Sequence, residues 1–210
     1  MKRLFDIISS AFGLLLLSPI FLIVTILIKL DSTGPVFYRQ MRVGMNFRPF
    51  WIIMFRTMEN KADKKGLQIT AGGDKRVTRL GRVLRKVKID ELPQLFNVLR
   101  GEMSLVGPRP EVEKYVELYK KDYEEILKIR PGIMDISSVI FSNEEGVLQN
   151  QADPEWYYKL ILLPEKIKLA REYMSRASFF YDIKIIFRTF YKVFCQIIAK
   201  LFPATMSPGQ

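Results

Sequence analysis

From Ile7 to Ile28 the chain runs through 22 residues with polar interruptions only at Ser9, Ser10, Ser18 and Thr25. Lys2, Arg3 and Asp6 precede this run, and Lys29 and Asp31 close it. As a helix it rises about 33 Å, enough for the hydrocarbon core of a bilayer, so one transmembrane span is the plain reading. The run is too long for a signal peptide and lacks a small-residue cleavage site. Ser18-Pro19 weighs against a simple span. Proline removes a backbone donor and clashes with the carbonyl four residues back, and a neighbouring serine can hydrogen-bond a freed carbonyl, which together produce a kink. The two arms, 2–17 and 19–29, would rise about 24 Å and about 16 Å, and the second is too short to cross. A re-entrant hairpin kinked at Ser18 and Pro19 keeps both charged ends on the face where the basic remainder belongs. These residues alone leave span and hairpin evenly matched.

The chain of 210 residues suits one domain with a sizeable core. Its 33 Lys and Arg against 22 Asp and Glu give a net charge of +11. Such an excess fits anionic partners: nucleic acid, an anionic membrane surface or phosphorylated small molecules. There is no histidine, which excludes imidazole bases, Ser-His-Asp triads and histidine metal sites. The single cysteine, Cys195, cannot form an internal disulfide, and its apolar helical neighbours make it a packing residue.

Residues 35–40 and 47–54 are rich in β-branched and aromatic side chains around Gly44-Met45-Asn46, which predicts a hairpin. Residues 60–73 are polar and read as a mobile loop. Arg79, Arg82 and Arg85 recur at helical spacing, a helix is expected from Leu92 to Leu99 with Gly101 as its stop, another follows Pro110, and Pro131-Gly132 turns the chain. From Ser178 to Phe202, Phe179, Ile183, Ile186, Phe187, Phe190, Phe194, Ile197 and Leu201 alternate with Lys184, Arg188, Lys192 and Lys200. That pattern suits an amphipathic helix in the lipid interface, against the plainer reading of an amphipathic core helix. The expected fold class is α/β, mostly helical with a small β-hairpin, and membrane-associated. Its expected parts are a re-entrant membrane hairpin over 1–31, a domain over 32–202 with a C-terminal interfacial helix, and a disordered tail over 203–210.

Chemistry concentrates at Asp90-Glu91. Seven basic residues and no acid lie between Lys75 and Lys88, just ahead of the pair. Asp90 is expected to cap a helix N-terminus, where partial positive charge would keep it ionised and draw a phosphate towards it. The plainer readings are a structural cap, a solvated arginine row and a proline-stiffened connection at Gly107-Pro108-Arg109-Pro110. Adjacent helical residues do not face each other, so a glycosidase-like opposed pair is hard to build from positions 90 and 91.

Taken together, Lys2 to Asp6, Ser18-Pro19, Gly34-Pro35-Val36-Phe37, Phe55-Arg56-Thr57-Met58, the block Asp90 to Leu99, the block Gly101 to Pro110 and Pro131-Gly132-Ile133 resemble the bacterial monotopic phosphoglycosyl transferases. The resemblance covers nearly the whole chain. It implies a re-entrant membrane helix broken at Ser18-Pro19, on the cytoplasmic face of a bacterial inner membrane. It implies transfer of a sugar 1-phosphate from a UDP-sugar to polyprenyl phosphate, releasing UMP and needing Mg²⁺, as the first membrane step of O-antigen, capsule or other glycoconjugate assembly. Asp90 is then the nucleophile that forms a phosphosugar-aspartyl intermediate, Asp90 and Glu91 the metal ligands, and Arg56, Arg85, Gln94 and Arg109 the groups that hold phosphates and nucleotide. The implied partners are UDP-sugar, polyprenyl phosphate and the lipid bilayer, with no nucleic acid, and with monomer or homodimer both open. Met134-Asp135 and Phe141-Ser142-Asn143 depart from the common family pattern, so the sugar does not carry over. Asn143-Glu144-Glu145-Gly146 reads either as a specificity loop or as solvated surface.

Overall fold

The computed structural model describes residues 1–60, 62 and 69–201; the centre of the expected 60–73 loop and the expected tail over 203–210 lie outside these. The chain is mostly helical with two small sheets. Helix α1 (Lys2–Asp31) is followed by an antiparallel hairpin of β1 (Phe37–Val43) and β2 (Pro49–Phe55), paired from Phe37 with Phe55 to Val43 with Pro49. The expected hairpin is present, a few residues displaced. Helices α2 (Arg79–Lys86) and α3 (Gln94–Arg100) come next, then the short strand β3 (Ser104–Val106). The expectation of two helices here holds, and Gly101 ends α3 with φ 85°. Helices α4 (Glu113–Leu118) and α5 (Lys120–Ile126) follow Pro110. Gly132 does more than turn the chain: it opens β4 (Gly132–Met134), which pairs in parallel with β3, Ser104 to Gly132 and Val106 to Met134. Three-residue strands leave no periodic signal, so this second sheet has no counterpart in the sequence reading. A Cβ on Gly132 would collide with the backbone of Val106 and Gly107, so only glycine permits the approach.

The remaining helices are α6 (Ile136–Ile140), α7 (Glu144–Gln149), α8 (Pro154–Tyr157), α9 (Leu163–Arg176) and α10 (Phe179–Leu201), with a π-helical turn at Tyr158–Leu162 leading into α9. One core lies where α4, α5, α7 and α9 meet, around Tyr115, Tyr123, Leu148 and Leu163. A second joins β2, α3, β3 and α10 through Ile52, Val98, Met103 and Ile185. Asn97, wholly buried on α3, ties the hairpin to it by accepting from the Ile53 amide at 3.0 Å and donating to the Trp51 carbonyl at 2.7 Å.

Helix α1 is long and apolar enough to cross a membrane. It is helical through Pro19, with no non-helical residue between its halves; the two arms expected from sequence form one assigned helix. The Leu15 carbonyl, four residues before Pro19, receives the Ser18 hydroxyl at 2.7 Å, so the bond the proline cannot make is replaced in the way expected. Both ends of α1 dock on the rest of the chain. Near the start, Lys2 donates to the Val106 carbonyl, the Tyr173 hydroxyl and Asp182 at 2.7–2.9 Å, and Asp6 accepts from Ser104 Oγ at 2.8 Å and the Leu105 amide at 3.2 Å. Near the end, Val24 and Ile28 are buried with Phe55 and Leu84. Asp6, Ser10, Val24 and Ile28 are buried, Gly13 lies against Leu95, and Phe21 meets Phe55 and Phe96, which traces one stripe down the helix. The opposite face exposes Ile8, Phe12, Leu15, Leu22, Ile23, Ile26 and Leu30. Helix α10 has the same division: Asp182 and Ile185 are buried, while Phe180, Phe187, Phe190, Tyr191 and Phe194 are exposed.

Candidate active site

Asp90 and Glu91 sit in a single 3₁₀ turn, Ile89–Glu91, between α2 and α3. Lys88 enters that turn with φ 58°, a left-handed conformation that a side chain-bearing residue adopts only under constraint. The expected capping role is corrected by the structure. Pro93 occupies the N-cap of α3, and the 3₁₀ bonds from the Leu92 amide to Ile89 and from the Glu91 amide to Lys88 precede it. Asp90 therefore makes no cap. It is buried at 9% exposure, and its Oδ1 has no hydrogen-bond partner.

The two carboxylates have opposite environments. Burial, reinforced by the charge of Glu91, pushes Asp90 up to about 6, against the pull of Lys88, Arg85 and Arg109. This reverses the expectation that a helix terminus holds it firmly ionised. Burial also opposes the charge on Glu91, but Arg109 and Lys88 outweigh it and hold that carboxyl down at about 2. Arg109 donates to both Glu91 oxygens, at 3.0 and 3.3 Å, and Lys88 Nζ lies 3.5 Å away. The Glu91 charge raises Arg109 above its ordinary range, with Asp135 and Glu144 adding to it. A forked pair of this kind fixes both partners.

Arg85 reaches the same region from the last turn of α2. Its Nε donates to Thr57 Oγ1 at 2.9 Å and its Nη1 to Glu145 at 2.7 Å. Gly81 lets α2 press onto the Thr57 backbone, where any Cβ would clash. Gln94 is 1% exposed and its Nε2 has no partner. The structure thus brings Asp90, Glu91, Arg85, Gln94 and Arg109 together along one short segment and the strand end facing it. Arg56 has a different occupation. Its guanidinium donates to the Ser32 carbonyl and hydroxyl and the Thr33 carbonyl at 2.6–2.9 Å, tying the end of α1 to β2, and burial lowers its pKa. Among the described residues, no three acidic or cysteine side chains gather as a metal cluster.

Sequence patterns characteristic of the bacterial sugar transferases match residues 1–196. The chain belongs to that family. This bacterial sugar transferase is 38% identical over 195 residues to a UDP-N-acetylgalactosamine-undecaprenyl-phosphate N-acetylgalactosaminephosphotransferase of Aeromonas hydrophila, covering 90% of this chain and 42% of that one. It is 37% identical over 191 residues to a UDP-glucose:undecaprenyl-phosphate glucose-1-phosphate transferase of Caulobacter vibrioides, covering 90% of this chain and 67% of the relative. Over 203 residues it is 35% identical to the exopolysaccharide production protein ExoY of Rhizobium meliloti, covering 90% and 83%. The chain thus spans less than half of the first relative and about two thirds of the second.

Four residues around the candidate site escaped the sequence reading as separate contributors: Thr57, Lys88, Asp135 and Lys166. Asp135 is buried at 4% exposure, and Lys166 pairs with Glu144 at 2.8 Å. The acidic tract resolves into structure: Glu145 bridges to Arg85 and Glu144 to Lys166, so it faces the site. The one sequence signal for Asp135 was that 134–143 departs from the family pattern.

Proposed function

We propose that the protein transfers a sugar 1-phosphate from a UDP-sugar to undecaprenyl or a similar polyprenyl phosphate, on the cytoplasmic face of a bacterial inner membrane. The product would be a polyprenyl-diphosphate sugar, the starting lipid of a surface glycan. One observation carries the reading: a buried, unpartnered Asp90 carboxyl oxygen is ringed by Arg85, Lys88 and Arg109, in a chain whose relatives are named for this reaction.

In the reaction we infer, the diphosphate is neutralised by Arg85 and Arg109. An ionised Asp90 oxygen attacks the β-phosphorus, a P–O bond forms, and the bond from that phosphorus to the bridging oxygen breaks. UMP leaves with that oxygen and its electron pair. A phosphate oxygen of the lipid then attacks the same phosphorus, and Asp90 departs as a carboxylate. One phosphoanhydride replaces another, so the driving force is small. Glu91 keeps Arg109 in place throughout. A pKa near 6 leaves Asp90 largely ionised at neutral pH yet less tightly solvated than a surface carboxylate, which favours nucleophilic use.

Mg²⁺ fits this donor set, since that ion commonly takes only one or two protein carboxylates when phosphates complete its shell. Asp90, with its unpartnered Oδ1, is the residue that would hold it; Glu91, expected from sequence to share the ion, has both oxygens taken by Arg109. When bound it would supply charge neutralisation for the diphosphate.

The same reading makes α1 a re-entrant membrane helix. A 30-residue helix is about 45 Å long, yet Lys2 at one end and Ile28 at the other both pack on the same catalytic domain. A helix whose two ends emerged on opposite sides of a bilayer could not do that. Its exposed apolar face and the aromatic face of α10 are the surfaces that would enter lipid. The test is UMP release from a panel of UDP-sugars in vesicles containing undecaprenyl phosphate. The reading requires lipid-dependent UMP release with at least one donor, and with donor alone a sugar-phosphate mass on the peptide bearing Asp90. Lipid-dependent turnover without that adduct would replace the covalent scheme with direct transfer.

A further inference from the structure

Beyond the carboxylate pair, one buried group has an unused bonding capacity beside the site. Asp135 follows β4 and caps α6: its Oδ1 accepts from the Ser138 amide at 2.7 Å and from the Ser137 hydroxyl. Its Oδ2 is equally buried and has no partner. A carboxylate oxygen left unpaired away from water is costly, and native proteins keep such an atom mainly where a ligand or a water completes it. Asp135 lines a cavity of about 30 Å³ together with Gly107, Pro108, Arg109, Ser137 and Lys166. Arg109 belongs both to this cavity and to the Glu91 fork.

The chemistry narrows what can complete Oδ2. A phosphate or another carboxylate would be repelled, so the missing partner is a hydrogen-bond donor, and Lys166, the cation lining the same cavity, is already held by Glu144. The cavity has room for a donor hydroxyl to enter beside Oδ2. A sugar hangs from the β-phosphate through a single bridging oxygen. A diphosphate held at Asp90 and Arg109 therefore delivers the ring to the edge of this cavity.

Resting on the proposed transferase activity, we infer that Asp135 is a specificity residue, whose Oδ2 accepts a hydrogen bond from one hydroxyl of the donor sugar and so selects among UDP-sugars. Lys166, held by Glu144, and the Arg109 backbone segment close the cavity around that hydroxyl. A site built to bond a hydroxyl rejects a donor lacking it more strongly than an apolar pocket rejects an extra group.

The experiment measures kcat/KM for UMP release with UDP-glucose, UDP-galactose and their N-acetylamino counterparts, then with each monodeoxy derivative of the best donor. Wild-type protein should lose about ten- to a hundredfold at one deoxy position, the worth of a hydrogen bond to a charged group. In Asp135→Asn and in Asp135→Ser, which keeps a capping oxygen, that penalty should shrink to about threefold or less. Two variants guard against a folding defect, and thermal unfolding of each is followed in parallel. The inference is overturned if no single deoxy position matters in the wild type. It is also overturned if the variants slow all donors equally and preserve the penalty, since Asp135 would then serve only α6 and a structural water. Absence of UMP release from every donor would instead remove the transferase reading itself, and this inference with it.

Discussion

Arg109 grips Glu91 with both terminal nitrogens, at 3.0 and 3.3 Å, while Oδ1 of the adjacent Asp90 has no hydrogen-bond partner. Two neighbouring carboxylates are thereby driven apart in acidity, Glu91 to about 2 and Asp90 to about 6. Divergence of this kind supports the roles proposed for them, the strong acid as a fixed countercharge and the weak one as the reactive group.

That divergence sets the pH dependence of the reaction. The proposed reaction requires ionised Asp90, so kcat/KM should fall on the acid side with a midpoint near pH 6. The Glu91 charge contributes to raising Asp90. Glu91→Gln should therefore move the acid limb to lower pH while lowering the maximal rate, because Arg109 loses its fork. A limb that stays in place in the variant would assign it to another group.

Burial of Asp90 also carries a signed stability cost. Its folded pKa lies above the usual aspartate value of 3.8, so the native state binds the proton more tightly than the unfolded chain. Stability from this group is greatest below pH 4, declines as pH rises through about 6, and the cost is fully present at pH 7 and above. Asp90→Asn removes that charge. It should abolish UMP release yet raise unfolding stability at pH 7.5 by up to about 3 kcal/mol, with about half that gain at pH 5. Urea midpoints at the two pH values check the sign; a variant destabilised at both would show that the carboxylate is held by favourable contacts.

Much of this was legible in the residues because the signals were local. The hairpin declares itself by two β-rich runs around Gly44, and α2 by its arginine spacing. Asp90 and Glu91 stood out because no histidine competes and cations crowd behind them. What local pattern could not give was placement across the chain. The β3–β4 pairing, the Glu145 bridge to Arg85 and the approach of Asp135 to Arg109 join residues 26 or more positions apart, and no periodicity encodes them. The capping role assigned to Asp90 failed for a local reason: Pro93 delays the α-helix, and a 3₁₀ turn fills the gap.

Arg56 and Arg85 share a sequence reading but not an environment, which makes them separable. Arg56 is itself buried and holds Ser32 and Thr33, so Arg56→Ala removes the bonds that tie the end of α1 to β2 and should cost about 1–2 kcal/mol of stability, with the folded fraction keeping its turnover within about threefold. Arg85 faces the carboxylate pair from α2, so Arg85→Ala should reduce kcat/KM about ten- to a hundredfold with little change in melting. Active-enzyme titration alongside thermal melts separates the two effects. An equal loss of specific activity in both would return Arg56 to the phosphate-binding set.

The membrane arrangement is tested at the start of α1. Lys2 Nζ lies 2.7 Å from Asp182, and Ile28, near the opposite end of that helix, is buried against Phe55 and Leu84. Both contacts hold together only if the two ends of α1 remain on the catalytic side. A cysteine placed ahead of Met1, in a Cys195→Ser background, should thus be labelled by an impermeant maleimide only after the inner membrane is opened. Replacing Ser18 and Pro19 with leucine removes the proline and the hydroxyl that bonds the Leu15 carbonyl, and leaves an uninterrupted apolar helix. Without the helix-breaking pair the run is better suited to crossing, so a fraction of that variant should become labelled from the periplasm. Asp182→Ala in the same background should enlarge the fraction, because it removes the ion pair that draws Lys2 back. Periplasmic labelling of the otherwise native chain would show that α1 crosses the bilayer and that its docked ends do not describe the membrane-bound protein.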